Sequence, residues 1–197
     1  MVALQSVRTE AVVVGASVGA VEALSIILPA LPESASAPIV VVVHVPPRQP
    51  SLLVELFSPK CRLPVREAWD KQHVAPGTIW FAPPDYHLLI EDDGHFALSL
   101  EDYVNFSRPS IDVLFESAAR VYASGLIGVV LSGASGDGAL GAQAIRRAGG
   151  RVAVQDPSTA ESAVLPRLAQ EKAAPQTVGT LWQIAEFLVQ NLGGSQP

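Results

Sequence analysis

Ser17, His44 and Asp137 supply a hydroxyl, an imidazole and a carboxylate. These are the groups of a nucleophile, its general base and the partner that orients the base. Each stands just past a valine-rich run: Ala11–Gly15 (AVVVG), Pro38–Val43 (PIVVVV) and Leu126–Ser132 (LIGVVLS). Continuous apolar runs of this kind read as strands buried on both faces of a parallel sheet. Side chains just beyond the carboxyl ends of such strands converge in one crevice, where ligands bind. The chemistry this predicts is acyl transfer by a serine hydrolase.

Each residue also has a plainer reading. Ser17 lies in Gly15-Ala16-Ser17-Val18-Gly19-Ala20, a strand-to-helix turn of small residues that leaves the hydroxyl accessible. Its Gly-x-Ser-x-Gly spacing fits a nucleophile elbow. A serine there also serves as an ordinary helix N-cap. Asp137 closes the glycine-rich segment Ser132–Gly138 and is likewise a candidate cap for the next helix. His44 gains weight from the Ser17 turn, because the two strands are expected to be neighbours, and imidazole suits general-base work near neutrality. A dinucleotide site ranks last. Its Gly-x-Gly-x-x-Gly fingerprint needs glycine where Ser17 stands, and an acid where His44 stands.

Other reactive residues are weaker candidates. His87 is a rival base inside a strand pattern, whereas His73 and His95 fall in turns expected to be exposed. Asp112 lies within a predicted helix, and Asp156 precedes Pro157. Cys61 sits between Lys60 and Arg62 and reads as a partly buried small residue. A single cysteine excludes an internal disulfide and any cysteine-based zinc site. No cofactor and no metal are expected.

The elements that must position these residues alternate along the chain. The first strand is followed by a helix over Ser17–Leu31, then a loop at 32–38 and a second strand, Ile39–Val43, stopped by Pro46-Pro47. A helix is expected over Ser51–Lys60 and a short strand over Pro64–Ala68. Thr78–Ala82, Tyr86–Ile90 and Phe96–Leu100 read as strands, the last two joined as a hairpin through Glu91-Asp92-Asp93-Gly94. The helix Ser110–Tyr122 follows, then strand Leu126–Leu131, helix Ala139–Ala148 and strand Arg151–Gln155. Helices near Ser162–Lys172 and Thr180–Asn191 close the pattern, and Gly193–Pro197 is expected to fray. The fold class is α/β: a doubly wound, mostly parallel sheet flanked by helices, with an antiparallel hairpin extension.

The totals agree. A length of 197 residues suits one domain, and 49% hydrophobic content supplies a core mostly of Val, Leu, Ile and Ala, since aromatics are only 6%. The net charge of −6 argues against nucleic acid as a partner. No run approaches the roughly 18 apolar residues of a membrane span, and no secretory leader opens the chain. A cytoplasmic protein without membrane insertion is expected.

With these motifs in place, the sequence resembles the catalytic domain of the chemotaxis protein-glutamate methylesterase family (CheB-type). The resemblance runs from about Val12 to Leu188. It rests on Gly15-Ala16-Ser17, His44, Ala82-Pro83-Pro84-Asp85-Tyr86-His87, Arg108-Pro109-Ser110-Ile111-Asp112-Val113-Leu114-Phe115 and Ser132-Gly133…Gly136-Asp137-Gly138, in that order. It implies Ser17 as nucleophile, His44 as base and Asp137 as its partner, with backbone N–H groups at Val18 and Ala134 holding the oxyanion. It implies glutamyl methyl esters on the cytoplasmic helices of methyl-accepting chemoreceptors as substrate, with deamidation of glutamines as a related activity. Val18-Gly19-Ala20 departs from the family's usual Thr-Gly-Gly after the serine, and Ala134-Ser135 stand where Met-Gly is usual. Only Met1–Glu10 precede the first strand, so a single domain over 1–197 with a core of about 11–192 is expected. No receiver domain is expected, so the protein would be either constitutively active or controlled by a separate regulatory protein. A hydrolase of another protein ester, or a non-catalytic receptor-docking module, are the alternatives.

Overall fold

The computed structural model describes residues 8–45 and 51–193. The stop expected at Pro46-Pro47 and the fraying past Gly193 lie outside the described residues. Seven parallel strands form one twisted sheet: β1 (Ala11–Ala16), β2 (Ile39–Val43), β3 (Val65–Glu67), β4 (Ile79–Phe81), β7 (Leu126–Val130), β8 (Arg151–Gln155) and β9 (Thr177–Gly179). Their order is β3-β4-β2-β1-β7-β8-β9. The direction of winding reverses between β1 and β7, and that reversal is where open α/β sheets leave a crevice.

Strand alternation divides the core in two. Val12, Val14 and Ala16 point to one face, where Leu24, Ile27 and Leu28 of α1 (Ala20–Ala30) and Ile184 and Leu188 of α6 (Leu181–Leu192) cover them. Ala11 and Val13 point to the other face, beneath α3 (Ile111–Tyr122), α4 (Ala139–Arg147) and α5 (Val164–Ala173). Each fully buried Val, Leu or Ile contributes about 1.5–3 kcal/mol. That is why the central strands tolerate no polar alternation.

The antiparallel hairpin is present as β5 (His87–Ile90) and β6 (Phe96–Ser99). It stands as a separate two-stranded sheet, and Leu88, Ile90 and Phe96 bury into the second core. The second strand's helix, α2, is shorter than expected, Leu53–Phe57. The three-residue β9 left no readable alternation in the sequence; its pairing with β8 defines it. The last helix starts on a capping box, in which Thr180 Oγ1 accepts from Gln183 N while Gln183 Oε1 accepts from Thr180 N.

Candidate active site

The turn after β1 differs from the expected helix start. The N-cap of α1 is Gly19, in the left-handed region at φ 79, and no side chain caps this helix. Ser17 stands two residues earlier, where its backbone N–H donates to the Ser132 carbonyl at 2.9 Å. Its capping role is therefore set aside. The chain must first swing away from the sheet, and glycine allows that turn without steric cost. Ser17 and His44 line the same cavity of about 350 Å³, together with Gly19, Val45 and Glu161.

Asp137 is also not a cap. Gly138 takes the N-cap position of α4, and Asp137 points away from that helix into the N-terminus of α3. There it is fully buried and receives a ring of donors. His44 Nε2 lies 2.8 Å from Oδ2, and Ile111 N–H donates to the same oxygen at 2.6 Å. Ser110 Oγ donates to Oδ1 at 2.6 Å, with Asp112 N and Asn105 Nδ2 each 3.3 Å from it. Burial alone would raise this carboxyl. The hydrogen bonds from His44, Ser110 and Ile111 override it and hold the group below the usual carboxylate range. The helix dipole acts in the same direction, because unpaired N–H groups at a helix start favour an anion.

With Nε2–H donated to Asp137, His44 presents Nδ1 as its proton-accepting nitrogen. His44 reaches this place because its backbone N–H donates to the Ala16 carbonyl at 3.2 Å, extending the β1–β2 pairing by one residue.

Sequence reasoning missed the supporting layer. Asp112 receives the N–H groups of Gly138 at 2.8 Å and Gly141 at 2.6 Å on one oxygen, so it caps α4 across space. Its other oxygen accepts from Asn105 Nδ2 at 3.0 Å, and that amide also reaches Asp137. Burial, and to a lesser degree the charge of Asp137, push Asp112 up to about 6. Its predicted position inside a helix was correct but did not exclude this role. Asn105 gave no signal, since nothing local marks it.

His87, the rival base, has a structural task. It is buried; its Nδ1 accepts the Ser110 N–H at 3.2 Å, so Nε2 carries the proton donated to the Asp102 carbonyl at 3.0 Å. It thereby fixes Ser110 beneath Asp137. His73 and His95 pair edge to face, with ring centroids 5.4 Å apart. Asp156 accepts from Ser158 in a local turn, and Cys61 is half-buried against the first core.

The expected oxyanion donors lie on two adjoining segments. Val18 follows Ser17 directly, and Ala134 follows Gly133, where an added Cβ would lie 3.3 Å from Ser17 Cβ. An added Cβ at Gly15 or Gly138 would overlap Ile111 Cγ2, so the end of β1 and the start of α4 close on the same isoleucine. Among the described residues, no group of three or more His, Cys, Asp or Glu is placed to hold a metal ion, and no helix is long and apolar enough to cross a membrane.

Comparison with known proteins supplies the family. Residues 12–188 fit the CheB methylesterase family. The chain belongs to the CheB methylesterase family. A curated protein of Leptospira interrogans is 46% identical over 180 residues, covering 91% of this chain and 93% of its own length. A relative from Trichodesmium erythraeum, named protein-glutamate methylesterase/protein-glutamine glutaminase, is 34% identical over 96% of this chain, which spans 55% of that relative. The crystal structure of the Thermotoga maritima CheB methylesterase catalytic domain superimposes with a TM-score of 0.88 at 35% identity. That match covers 93% of this chain and 99% of the other. The doubly wound sheet with its hairpin is thus the CheB catalytic fold.

Proposed function

We propose that this CheB-family chain is a serine esterase that hydrolyses glutamyl methyl esters, and deamidates glutamines, on the cytoplasmic helices of methyl-accepting chemoreceptors. The observation that carries this reading is the 2.8 Å bond between His44 and the buried Asp137, beside the cavity that His44 shares with Ser17. The family membership and the relatives' names supply the substrate class. The site of action is the cytoplasm, where the receptor helices lie.

The reaction follows from the side chains. Ser17 Oγ attacks the ester carbonyl carbon as His44 Nδ1 takes its proton. Asp137, a carboxylate throughout, holds the imidazole and stabilises the imidazolium. Backbone N–H groups of Val18 and Ala134 receive the developing oxyanion. The carbon–methoxy bond breaks, and His44 returns its proton to release methanol. Water then loses a proton to His44, attacks the acyl-serine and frees glutamate and Ser17. With glutamine, ammonia leaves in place of methanol.

The test is methanol release from a methylated chemoreceptor fragment, comparing the parent with Ser17→Ala. The parent is expected to release methanol, and the variant to lose about six powers of ten in rate while keeping its circular dichroism. Equal release from both would remove Ser17 from the mechanism, and no release from folded parent would overturn the methylesterase reading.

A further inference from the structure

Phe106 is 99% exposed. A phenyl group held in water gains nothing from burial. Its backbone is also unfavourable: Asn105 and Phe106 are both in the left-handed region, at φ 49 and φ 63. Glycine relaxes there, whereas a bulky side chain is strained. Strain without a packing return in the free chain points to a role in function.

The segment is nevertheless firmly anchored. Asn105 Nδ2 reaches both Asp112 and Asp137, the same carboxylate that holds His44. Val104 and Ser107 exchange backbone hydrogen bonds at 3.2 and 2.9 Å. Arg108 Nη1 donates to the carbonyls of Leu100 and Glu101, and its guanidinium lies 4.5 Å over the Tyr103 ring. Arg108 is thus committed to the loop, and the surface presented outward is aromatic.

Beneath the loop is a hollow of about 150 Å³ lined by His44, Val45, Tyr103, Phe106, Arg108 and Pro109. His44 and Val45 also line the crevice that holds Ser17, so the two spaces adjoin. Its walls mix apolar Val45, Tyr103, Phe106 and Pro109 with polar His44, Ser107 and Arg108, and a space of this size takes about one benzene-sized group. A polypeptide that brings an ester to Ser17 would pass its neighbouring residue over this adjoining hollow. On a helix, that neighbour lies three or four positions along the same face.

We propose that residues 103–108 form a substrate-docking lip, with Phe106 and Tyr103 seating an apolar side chain of the polypeptide that carries the esterified glutamate. This deepens the methylesterase reading and rests on it.

The test compares two substrates: a methylated chemoreceptor fragment, and the γ-methyl ester of N-acetylglutamate amide, which has no flanking residues. In Phe106→Ala, the ratio of kcat/KM for the fragment to kcat/KM for the small ester is expected to fall at least tenfold, chiefly through KM. Phe106→Leu is expected to restore most of the ratio. Phe106→Gly removes the backbone strain, so its melting temperature is expected not to fall, while the ratio drops as in Phe106→Ala. A ratio that changes less than threefold, or two rates that fall in parallel, overturns the lip. A parent active on the small ester and inert on the fragment overturns the methylesterase reading, and the lip with it.

Discussion

The start of α3 holds two buried carboxylates that share the Asn105 amide, yet the protein drives them in opposite directions. Asp137 gathers donors from His44, Ser110 and Ile111 and is held below the usual carboxylate range. Asp112 is met by the N–H groups of Gly138 and Gly141 and by the Asn105 amide, but burial and the neighbouring negative charge push it up to about 6. Burial is common to both. The difference lies in what donates: a basic imidazole and a short hydroxyl contact at one, mostly backbone amides at the other. A carboxylate stays charged in the interior only when its donors outweigh desolvation. One site therefore serves as a permanent anion for the imidazole. The other serves as a brace between α3 and α4.

Substitutions at the two carboxylates can break or sharpen that division. The largest effect is expected from Asp137→Asn, which removes the charge that orients His44: kcat falls by about four powers of ten in methanol-release assays, with the fold retained. If Asp112→Asn abolished activity equally, the separation into anion and brace would fail.

A smaller effect is expected in stability against pH. The folded pKa of Asp112, about 6, lies above its ordinary value of 3.8. The native state therefore binds the extra proton between those values. Relative to Asp112→Asn, the parent should lose stability as pH rises from about 4 to 6, on the order of 2 kcal/mol, and then level off. Urea titrations of both proteins across that range measure it; a constant difference would show that Asp112 does not titrate in this window. Asp137 has the reverse sign. Its depressed pKa makes it stabilising above 3.8, and that contribution is lost as pH falls further.

The smallest effect belongs to Ser110→Ala. It removes one hydrogen bond to Asp137 and the N-cap of α3, and should lower stability by about 1–2 kcal/mol by urea titration. No loss at all would mean that the backbone amides suffice to hold the carboxylate.

Much of this was legible in sequence because the decisive signals are local. The valine runs gave β1, β2 and β7, and the residues following them lie at one end of the sheet. Arg151–Gln155 was read to its bounds, and Gly94 marked the hairpin turn. What was not legible depends on contacts between distant segments. The brace at Asp112 requires α3 and α4 to be packed before its partners exist. Asn105 acts through two carboxylates that no spacing rule links to it. The cap readings of Ser17 and Asp137 failed for a related reason: glycines with positive φ took both cap positions and freed the side chains to point elsewhere.

The pairing of β1 with β2 and with β7 also sets when the proposed site can form. His44 and Asp137 are 93 positions apart, and they meet only once parallel strands from separate parts of the chain have come together. Pairings of such long range form slowly compared with helices. During refolding, helical signal should therefore return well before any turnover, and the recovery of ester hydrolysis becomes a clock for the last assembly of the sheet.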